Sequence, residues 1–330
     1  MKALVIEKPG LSGVKESIDP KPASGWVTIR VMACGICGTD LHIFQGEYLG
    51  GYPITPGHEL AGVIEAVGAG VTRFAVGDRV AIEPNIPCNN CEACLHNRQN
   101  FCENWKAVGV TLPGGMAQLV ACPESALFSI GGLPFEQGAF MEPLSCVVHG
   151  VERAHFRIGD RVALFGAGPI GIMMLRLLLL QGVTDVTVVE RNTHRLAIAR
   201  TSGAAHCITS TNELKRDFYD VVADATGAPA LEELAPSFAR AGGTVLLFGV
   251  PPAGKNIQLE PFAFFHKGLT ILSSYTSLRN SYQAVSLIAS GRLPVTDLVT
   301  HRLPLERFSE GIEAITAGAE VMKVMMLPNG

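Results

Sequence analysis

The sequence predicts an α/β chain in which a mainly-β region is followed by a doubly wound parallel sheet. Three observations predict this class. Up to about Glu142, short runs of alternating apolar and polar residues are separated by glycine and proline, as in WVTIRVMA at 26–33. Beyond it, short apolar runs alternate with helical segments, which is typical of parallel strands joined by crossover helices. The tail from Asn280 returns to mixed elements, so we expect it to pack back on the first region.

The second region supplies six predicted strands and the helices between them. The strands are RVALFG, DVTVVE, HCI, YDVVADAT, GTVLLFG and LTILSS. The helical runs are PIGIMMLRLLLLQG, THRLAIARTSG, TNELKRDF, ALEELAPSFARAG and FAFFHKG. The most apolar stretch, 170–180, is too short to span a bilayer and contains Arg176, so it predicts a buried helix.

Length and composition fit two ordinary folded domains. The chain has 330 residues, of which 48% are hydrophobic and 17% charged, and its formal net charge is −4. These values are typical of folded chains and argue against disorder and against a basic nucleic-acid-binding surface. The first residues lack the apolar core of a signal peptide. We therefore expect a cytoplasmic protein with neither a membrane nor a nucleic-acid partner.

A glycine-rich turn lies between the first strand of the second region and the long apolar helix. RVALFGAGPIG places Gly166, Gly168 and Gly171 in a G-x-G-x-x-G pattern, with Pro169 and Ile170 at the start of the helix. The first glycine makes the tight turn, the second lets the backbone approach a pyrophosphate, and the third allows close helix–strand packing. Because the helix N-terminus faces the phosphates, the pattern predicts a dinucleotide site.

An acidic residue ends the second strand of this region. Glu190 follows Gly171 by 19 residues, where a carboxylate can accept hydrogen bonds from the adenosine ribose hydroxyls. The same charge repels a 2′-phosphate, so the sequence favours NAD over NADP. Arg191 follows directly, so how strictly the site excludes NADP stays open.

Four of the nine cysteines fall within one short segment. Cys88, Cys91, Cys94 and Cys102 give the spacing C-x2-C-x2-C-x7-C, and an odd cysteine total argues against a disulfide framework. Four thiolates can surround one Zn²⁺ tetrahedrally, whereas the gap of seven departs from the usual four-iron cluster run. Such a shell leaves no position for a substrate, so we expect this zinc to be structural.

A second group of possible ligands is spread along the chain. Cys37, His58, Glu59 and Glu142 together could form a mixed sulfur, nitrogen and oxygen site that keeps an exchangeable water position, as catalytic zinc requires. Cys34 and Cys37 also spell C-x-x-C, which could be a redox pair, but the preceding pattern is not a thioredoxin-like unit.

Six motifs follow one another along the chain: CGICGTDLHIF, GHELAGVIEAVG, GDRVAIEP, the four-cysteine segment, EPLSCVVHG and GAGPIG. In these motifs and their order, and over nearly its full length, the chain resembles the zinc-dependent medium-chain alcohol and polyol dehydrogenases, most closely the sorbitol dehydrogenase-like members. The resemblance implies a GroES-like mainly-β catalytic domain at 1–143 and 276–330, with a structural zinc lobe at about 84–104. It implies a Rossmann NAD-binding domain at 144–275 and a cleft between the two domains.

The resemblance also assigns roles to residues, beginning with two zinc ions per chain. It implies that Cys37 and His58 ligate the catalytic zinc. Glu59 would either be a ligand or lie next to the ligands without binding the metal, and Glu142 would ligate the zinc directly or through a water. The structural zinc would be held by Cys88, Cys91, Cys94 and Cys102.

Five further residues match positions of the family's motifs. Thr39 matches the hydroxyl that hydrogen-bonds the zinc-bound alcohol, and His42 the histidine that passes the proton outward. Asp40 matches a carboxylate that orients the ligand histidine. Arg195 matches a basic residue near the adenosine, and Lys323 one that reaches the pyrophosphate.

The implied function is hydride transfer between a secondary alcohol, such as a polyol oxidised to a ketose, and NAD. Sorbitol-type enzymes carry an Arg-Tyr pair where this chain has Thr276 and Ser277, so the natural alcohol stays open. The alternatives are a vicinal-diol (2,3-butanediol-type) or threonine dehydrogenase of the same family, or a non-catalytic nucleotide-binding regulator. Members of the family are commonly dimers or tetramers, and we expect a homodimer or homotetramer.

Overall fold

The computed structural model describes residues 1–47, 51–318 and 320–330 and divides them into two units. Unit 1 comprises 1–145 and 278–330, and unit 2 comprises 146–277. From the sequence we had expected these borders after residues 143 and 275. Unit 1 is thus made of two separate stretches of chain, with unit 2 inserted between them in sequence.

Seventeen strands occur in the described part of the chain. They are β1 (Lys2–Lys8), β2 (Leu11–Glu16), β3 (Trp26–Gly35), β4 (Glu59–Val67), β5 (Arg79–Ile82), β6 (Asn85–Ile86), β7 (Lys106–Ala107), β8 (Leu119–Pro123), β9 (Leu127–Ser129), β10 (Arg161–Phe165), β11 (Asp185–Val189), β12 (His206–Ile208), β13 (Tyr219–Asp224), β14 (Ala239–Leu247), β15 (Thr270–Ser273), β16 (Val299–Leu303) and β17 (Lys323–Met326).

Ten α-helices occur in the same described ranges. They are α1 (Gly38–Gln45), α2 (Glu92–Leu95), α3 (Phe135–Ala139), α4 (Met141–Ala154), α5 (Pro169–Leu180), α6 (Thr193–Thr201), α7 (Pro229–Leu234), α8 (Pro261–Lys267), α9 (Ser281–Ala289) and α10 (Phe308–Ala317). Short 3-10 helices cover Gln99–Phe101, Glu124–Ala126, Thr211–Glu213, Ala235–Ser237, Thr296–Leu298 and Leu305–Arg307.

Unit 1 is built on a seven-stranded mixed sheet. Its strand order is β16-β17-β3-β4-β5-β9, and β8 also pairs with β3. The alternation in WVTIRVMA is explained by burial, because Val27, Ile29 and Val31 are fully enclosed in the core of this unit. At its C-terminal end β3 is flanked on both sides, with β17 antiparallel on one side and β4 antiparallel on the other. The strand from the C-terminal tail therefore completes the sheet that β3 begins.

Unit 2 contains a six-stranded sheet in which every strand pairing is parallel. The order is β12-β11-β10-β13-β14-β15. From β10 at the centre, β11 and β12 are added on one side of the sheet, and β13, β14 and β15 are added on the other. This is the doubly wound Rossmann arrangement, in which ligands bind beyond the carboxyl ends of the strands where the order reverses. Together with the mainly-β unit 1, it confirms the predicted fold class.

Two helix predictions in unit 2 were wrong. The segment 211–218 forms only a single 3-10 turn, because Ser210 and Glu213 cap each other's backbone and Leu214 is extended. The segment 230–242 is helical only at its start, since Pro236 interrupts the hydrogen-bonding pattern and the residues from Ala239 onward join the sheet as β14.

The apolar stretch at 170–180 was predicted correctly as a buried helix. It forms α5, in which seven of the twelve residues are buried. In the part of the chain that the structure describes, no helix is both long and apolar enough to cross a membrane.

Candidate metal centres and nucleotide site

The sulfur, imidazole and carboxylate predicted to form the catalytic metal site converge in unit 1. Cys37 immediately precedes α1, whereas His58 and Glu59 lie where the chain enters β4. One ligand atom from each of the three lies within 4.8 Å of the others. In tetrahedral zinc sites the ligand atoms are separated by roughly 3.3–3.8 Å. The three residues therefore fit a metal ion, and small side-chain adjustments suffice to close the shell.

Asp40 holds the two halves of this cluster together. Its side chain is fully buried and accepts hydrogen bonds from the backbone N–H groups of Cys37, at 2.8 Å, and Gly57, at 3.1 Å. Its Oδ1 lies 3.6 Å from Nδ1 of His58. A carboxylate on one ring nitrogen orients an imidazole and leaves the other nitrogen for a metal. This geometry fits the expected role of Asp40.

Burial and neighbouring charges act in opposite directions on the pKa values here. Burial raises the pKa of Asp40, and the charge of His58 reduces that increase. For His58, burial lowers the pKa, but the charges of Asp40, Cys37 and Glu142 outweigh it and raise the pKa well above its ordinary value. A compact group of acidic side chains and a thiol thus attracts positive charge, which a bound cation would supply.

Glu142 lies outside the 4.8 Å cluster but close to it. It is 8% exposed, occupies the second position of α4, and is near enough for its charge to act on His58. The structure therefore brings three of the four predicted catalytic ligands into one set. Glu142 remains a neighbour whose approach to a metal would require a water or a rotation of its side chain.

Lys323, predicted to reach the pyrophosphate, lies beside the candidate metal cluster. Its side chain is 6% exposed and its ammonium pairs with Oε2 of Glu59, inside unit 1 beside the candidate metal cluster. Burial lowers the pKa of Lys323, but the charges of Glu59, Cys37 and Asp40 outweigh this effect. The net pKa lies above its ordinary value, so the lysine keeps its proton. The ammonium is thus paired with a carboxylate, and its expected contact with the pyrophosphate stays a prediction.

Gly35 is a residue whose importance the sequence analysis missed. It lies on β3 opposite Glu59 on β4. A Cβ atom added there would lie 2.8 Å from Cε of Lys323 and closer still to the carboxylate of Glu59. The signal was present in CGICG, where a glycine directly follows a buried cysteine near the end of a strand, but the pairing of β3 and β17 could not be read from it.

Thr39 and His42 both lie on α1, directly after Cys37. Both are partly exposed, and Nδ1 of His42 lies 3.0 Å from Oε2 of Glu47. Gly46 ends the helix in the left-handed conformation, with φ of 83°, so that the chain turns back and the N–H of Glu47 donates to the carbonyl of His42. Glu47 is a second residue that the sequence analysis did not identify.

The four clustered cysteines form the second candidate metal centre. One sulfur from each of Cys88, Cys91, Cys94 and Cys102 lies within 4.8 Å of the others, and all four are free thiols. The Cys88 backbone N–H donates to the sulfur of Cys102 at 3.2 Å, and the Asn104 amide donates to the sulfur of Cys88 at 3.7 Å. Such donors stabilise thiolates, and four thiolates match zinc.

The thiols of this lobe differ in acidity. Hydrogen bonds, chiefly from the backbone of Asn90, lower the pKa of Cys88 to about 6 despite partial burial. Burial raises the pKa of Cys94 to about 12. A divalent ion would favour the thiolate form of all four, so the site fits a bound metal better than four protonated thiols.

In unit 2 the predicted glycine turn connects β10 to α5. Gly166 has a φ of 93°, a conformation that favours glycine, and Gly168 precedes the first helical residue, Pro169. A Cβ on Gly171 would lie 2.9 Å from the carbonyl carbon of Gly166 and closer still to its oxygen. A Cβ on Gly168 would have no heavy atom within 4 Å, so the space beside this position is open. Ile170 is the second residue of α5.

Glu190 follows β11 and is held in place by backbone donors. Its two carboxylate oxygens accept from the N–H groups of Ala167 and Asn192, each at 2.9 Å. The carboxylate therefore lies directly beside the glycine turn. Arg195 is in the first turn of α6, where its N–H donates to the side chain of Asn192 at 3.1 Å.

Asp224 supports the glycine turn from the next strand, and sequence reasoning missed it. It ends β13, is fully buried, and accepts from the hydroxyl of Thr226 at 2.6 Å and from the N–H of Gly227 at 2.8 Å. The methyl of Thr226 faces Gly166 across the carboxyl edge of the sheet. The stretch DATG after a strand could have signalled this turn.

Comparison with protein families places both units. Residues 23–132 match the family model described as "Alcohol dehydrogenase GroES-like domain", and residues 169–290 match "Zinc-binding dehydrogenase". The first covers α1, His58 and the four-cysteine lobe. The second begins at the first residue of α5 and includes Glu190.

Individual relatives cover most or all of the chain. A D-altritol 5-dehydrogenase from Agrobacterium fabrum is 38% identical over 289 residues, which is 85% of this chain and 86% of that protein. D-arabinitol dehydrogenase 1 from Uromyces fabae is 32% identical and covers 100% of this chain and 97% of that one. Threonine and butanediol dehydrogenases also occur among the matched proteins.

A solved structure agrees with the fold in detail. A zinc-binding dehydrogenase from Sinorhizobium meliloti, crystallised with NADP, superposes with a TM-score of 0.95 at 32% identity and covers 99% of each chain. Two metal-fitting clusters, a glycine turn on a Rossmann sheet and full-length relatives lead to one conclusion: the chain belongs to the zinc-dependent medium-chain alcohol and polyol dehydrogenase family and is an NAD(P)-dependent oxidoreductase.

Proposed function

We propose that the protein oxidises a secondary hydroxyl of a sugar alcohol to the ketone with NAD⁺, using one catalytic and one structural zinc per chain. One observation carries the proposal. A thiol, an imidazole and a carboxylate lie within 4.8 Å of one another directly beside the helix that carries Thr39 and His42. A protein that only bound nucleotide would need neither an open metal site nor a proton path.

Cys37, His58 and Glu59 would hold the catalytic zinc, with Glu142 close by. Zinc in such a site supplies a Lewis acid that lowers the pKa of an alcohol hydroxyl towards neutrality. Asp40 keeps the ring of His58 turned towards the metal position. The protein's own contribution is thus to fix the donors and to leave one position for the substrate.

Thr39 and His42 would carry the substrate proton away. The Thr39 hydroxyl can accept a proton from the alcohol as it donates its own, and His42 can release a proton to water at the outer end of the path. Because Glu47 contacts Nδ1 of His42, the opposite ring nitrogen is left to accept the proton. The side chain of His42 is 18% exposed, which gives the proton a route to solvent.

Unit 2 would bind NAD, which accepts the hydride at its nicotinamide ring. The open backbone at Gly168 and the N-terminus of α5 suit the pyrophosphate, with Gly166, Pro169, Ile170 and Gly171 forming the turn. Glu190, fixed by two backbone donors, suits the adenosine ribose hydroxyls and opposes a 2′-phosphate. Arg195, in the first turn of α6, would line the adenosine side.

The four-cysteine lobe would hold the structural zinc. Four sulfur ligands close the tetrahedral shell, so this ion would tie the residues between Cys88 and Cys102 together without touching the substrate. We also expect a homodimer or homotetramer, which light scattering of the zinc-loaded protein would measure.

The test is a substrate screen on protein whose metal content has been measured. NADH formation is followed with D-arabinitol, D-altritol, sorbitol, 2,3-butanediol and L-threonine, and each is repeated with NADP⁺. We expect two zinc ions per chain and a kcat/KM for a polyol at least about tenfold above those for butanediol and threonine, a difference of about 1.4 kcal/mol. A preference for threonine or butanediol would favour those alternatives. No turnover by protein with two zinc ions would favour a nucleotide-binding regulator.

A further inference from the structure

We infer that Lys323 is a positioning residue that competes with the catalytic metal ion for the carboxylate of Glu59, and so limits how tightly that ion is held. The inference rests on the proposed function, because it takes Cys37, His58 and Glu59 as the ligands of the ion. It assigns to Lys323 a task within the metal centre.

The ion pair between Lys323 and Glu59 is fully enclosed. The two side chains are 6% and 1% exposed, and the ammonium contacts Oε2 of the carboxylate. In the described part of the chain, Lys323 is the one lysine or arginine that is buried. A buried ammonium is retained only where paired charge offsets its desolvation, so its pairing with a residue that we take as a metal ligand is a specific arrangement.

A glycine on the strand between the two residues leaves the space that this ion pair occupies. Lys323 begins β17, Glu59 begins β4, and β3 runs between these two strands. At this level β3 presents Gly35, which pairs with Glu59 on one side and with Met325 on the other. Because Gly35 has no side chain, the lysine can extend across β3 to the carboxylate. Any Cβ at this position would collide with both members of the pair.

Competition follows from the charges. Glu59 offers one carboxylate to two cations, and an ammonium on Oε2 offsets part of the negative charge that the carboxylate would otherwise offer to a divalent ion. Without the lysine, the full negative charge of Glu59 would be available to the metal. An ion with one more strongly bound anionic ligand is released more slowly and is a weaker Lewis acid towards an alcohol.

The experiment measures metal release rather than turnover. Zinc-loaded wild type, K323M, K323R, E59Q and the double variant K323M/E59Q are mixed with a coloured chelator, and the loss of each zinc is followed in time. The zinc of the four-cysteine lobe serves as an internal control, because no variant touches it. The same proteins with Co²⁺ at the catalytic site report the ligand field through their visible spectra.

We expect K323M to slow the release of zinc from the catalytic site by about tenfold or more. Changes of this size are typical when a residue that contacts a metal ligand is replaced. K323R keeps the charge and should release zinc close to the wild-type rate. In the E59Q background, K323M should change the rate little, because the lysine acts through that carboxylate. The cobalt spectrum should shift in K323M and stay as in wild type in K323R.

Several outcomes would overturn the inference. K323M could release zinc as fast as wild type or faster, or it could slow release equally in the presence and absence of Glu59. If K323M does not fold, K323Q removes the charge while keeping a hydrogen-bond donor for the carboxylate, and the same slower release is expected. A wild-type protein that takes up no metal at Cys37 would instead refute the proposed function, and the cobalt spectrum distinguishes these two failures.

Discussion

Replacing Gly171 with alanine should damage both the stability of unit 2 and its affinity for the dinucleotide. The new Cβ would lie 2.9 Å from the carbonyl carbon of Gly166 and closer to its oxygen, whereas ordinary contacts begin near 3.4 Å. The obstructing atoms are backbone, so either the start of α5 or the glycine turn must move by at least half an ångström or so. Overpacking of this kind costs about 1–3 kcal/mol.

The matched control is Gly168→Ala, three residues before Gly171 in the same turn. A Cβ there meets no heavy atom within 4 Å, so the free protein should keep its thermal midpoint. The added methyl would nevertheless occupy the open side on which we place the pyrophosphate. NADH binding, measured by fluorescence, should therefore weaken at least about tenfold in both variants, which corresponds to about 1.4 kcal/mol.

Thermal unfolding without cofactor separates the two variants. The thermal midpoint of Gly171→Ala should lie several degrees below that of the wild type, whereas Gly168→Ala should have the wild-type midpoint. Equal midpoints for Gly171→Ala and wild type, together with unchanged NADH affinity, would refute the packing argument. Loss of stability in Gly168→Ala would show that the position is not open.

Three further predictions concern other parts of the molecule. Cys102→Ser should lower the zinc content by one ion per chain and reduce the thermal midpoint, while the second ion stays; a metal assay that finds both ions lost or both retained would contradict the assignment. Glu190→Gln should raise the ratio of kcat/KM with NADP⁺ to that with NAD⁺ by about tenfold, because the charge opposing a 2′-phosphate is gone. Burial raises the pKa of Asp220, but hydrogen bonds from Arg161 and Arg240 outweigh it and leave the pKa at about 2, below the ordinary 3.8. A lowered pKa stabilises the fold above pH 4, and that contribution, about 2 kcal/mol, is lost as the pH falls towards 2. Urea unfolding at pH 5 and pH 2.5 should show this loss in wild type and a smaller one in Asp220→Asn.

Most strands, helices and tight turns could be predicted from the sequence because they depend on local patterns. Alternation in β3 and the glycine turn before α5 each report burial or a tight turn within a few residues. The errors arose where local pattern and tertiary context disagree. The stretch after Pro236 has helix-forming residues, yet it joins the parallel sheet as β14, since pairing with β13 outweighs intrinsic propensity.

The candidate site was predictable to the extent that its motifs are short. Cys37 and Asp40 lie on one turn, and His58 and Glu59 are adjacent. These residues could therefore be identified as metal-site candidates from the sequence and from the family resemblance. The partner of Glu59 was not legible, because Lys323 is a single charge in an apolar strand far along the chain. Only the pairing of β17 with β3 brings that ammonium to the carboxylate.

The discontinuity of unit 1 bears on how the protein is made. A ribosome releases β3 and β4 first, then the whole of 146–277, and only afterwards β17. Domains generally fold as they emerge, so the nucleotide-binding unit can be complete while the nascent chain still lacks the strand that flanks β3. Until β17 arrives, Glu59 has no ammonium beside it. Zinc loaded before β17 is synthesised would therefore meet a different ligand environment from zinc loaded after it, and maturation of the metal centre depends on a strand that follows unit 2 in the chain.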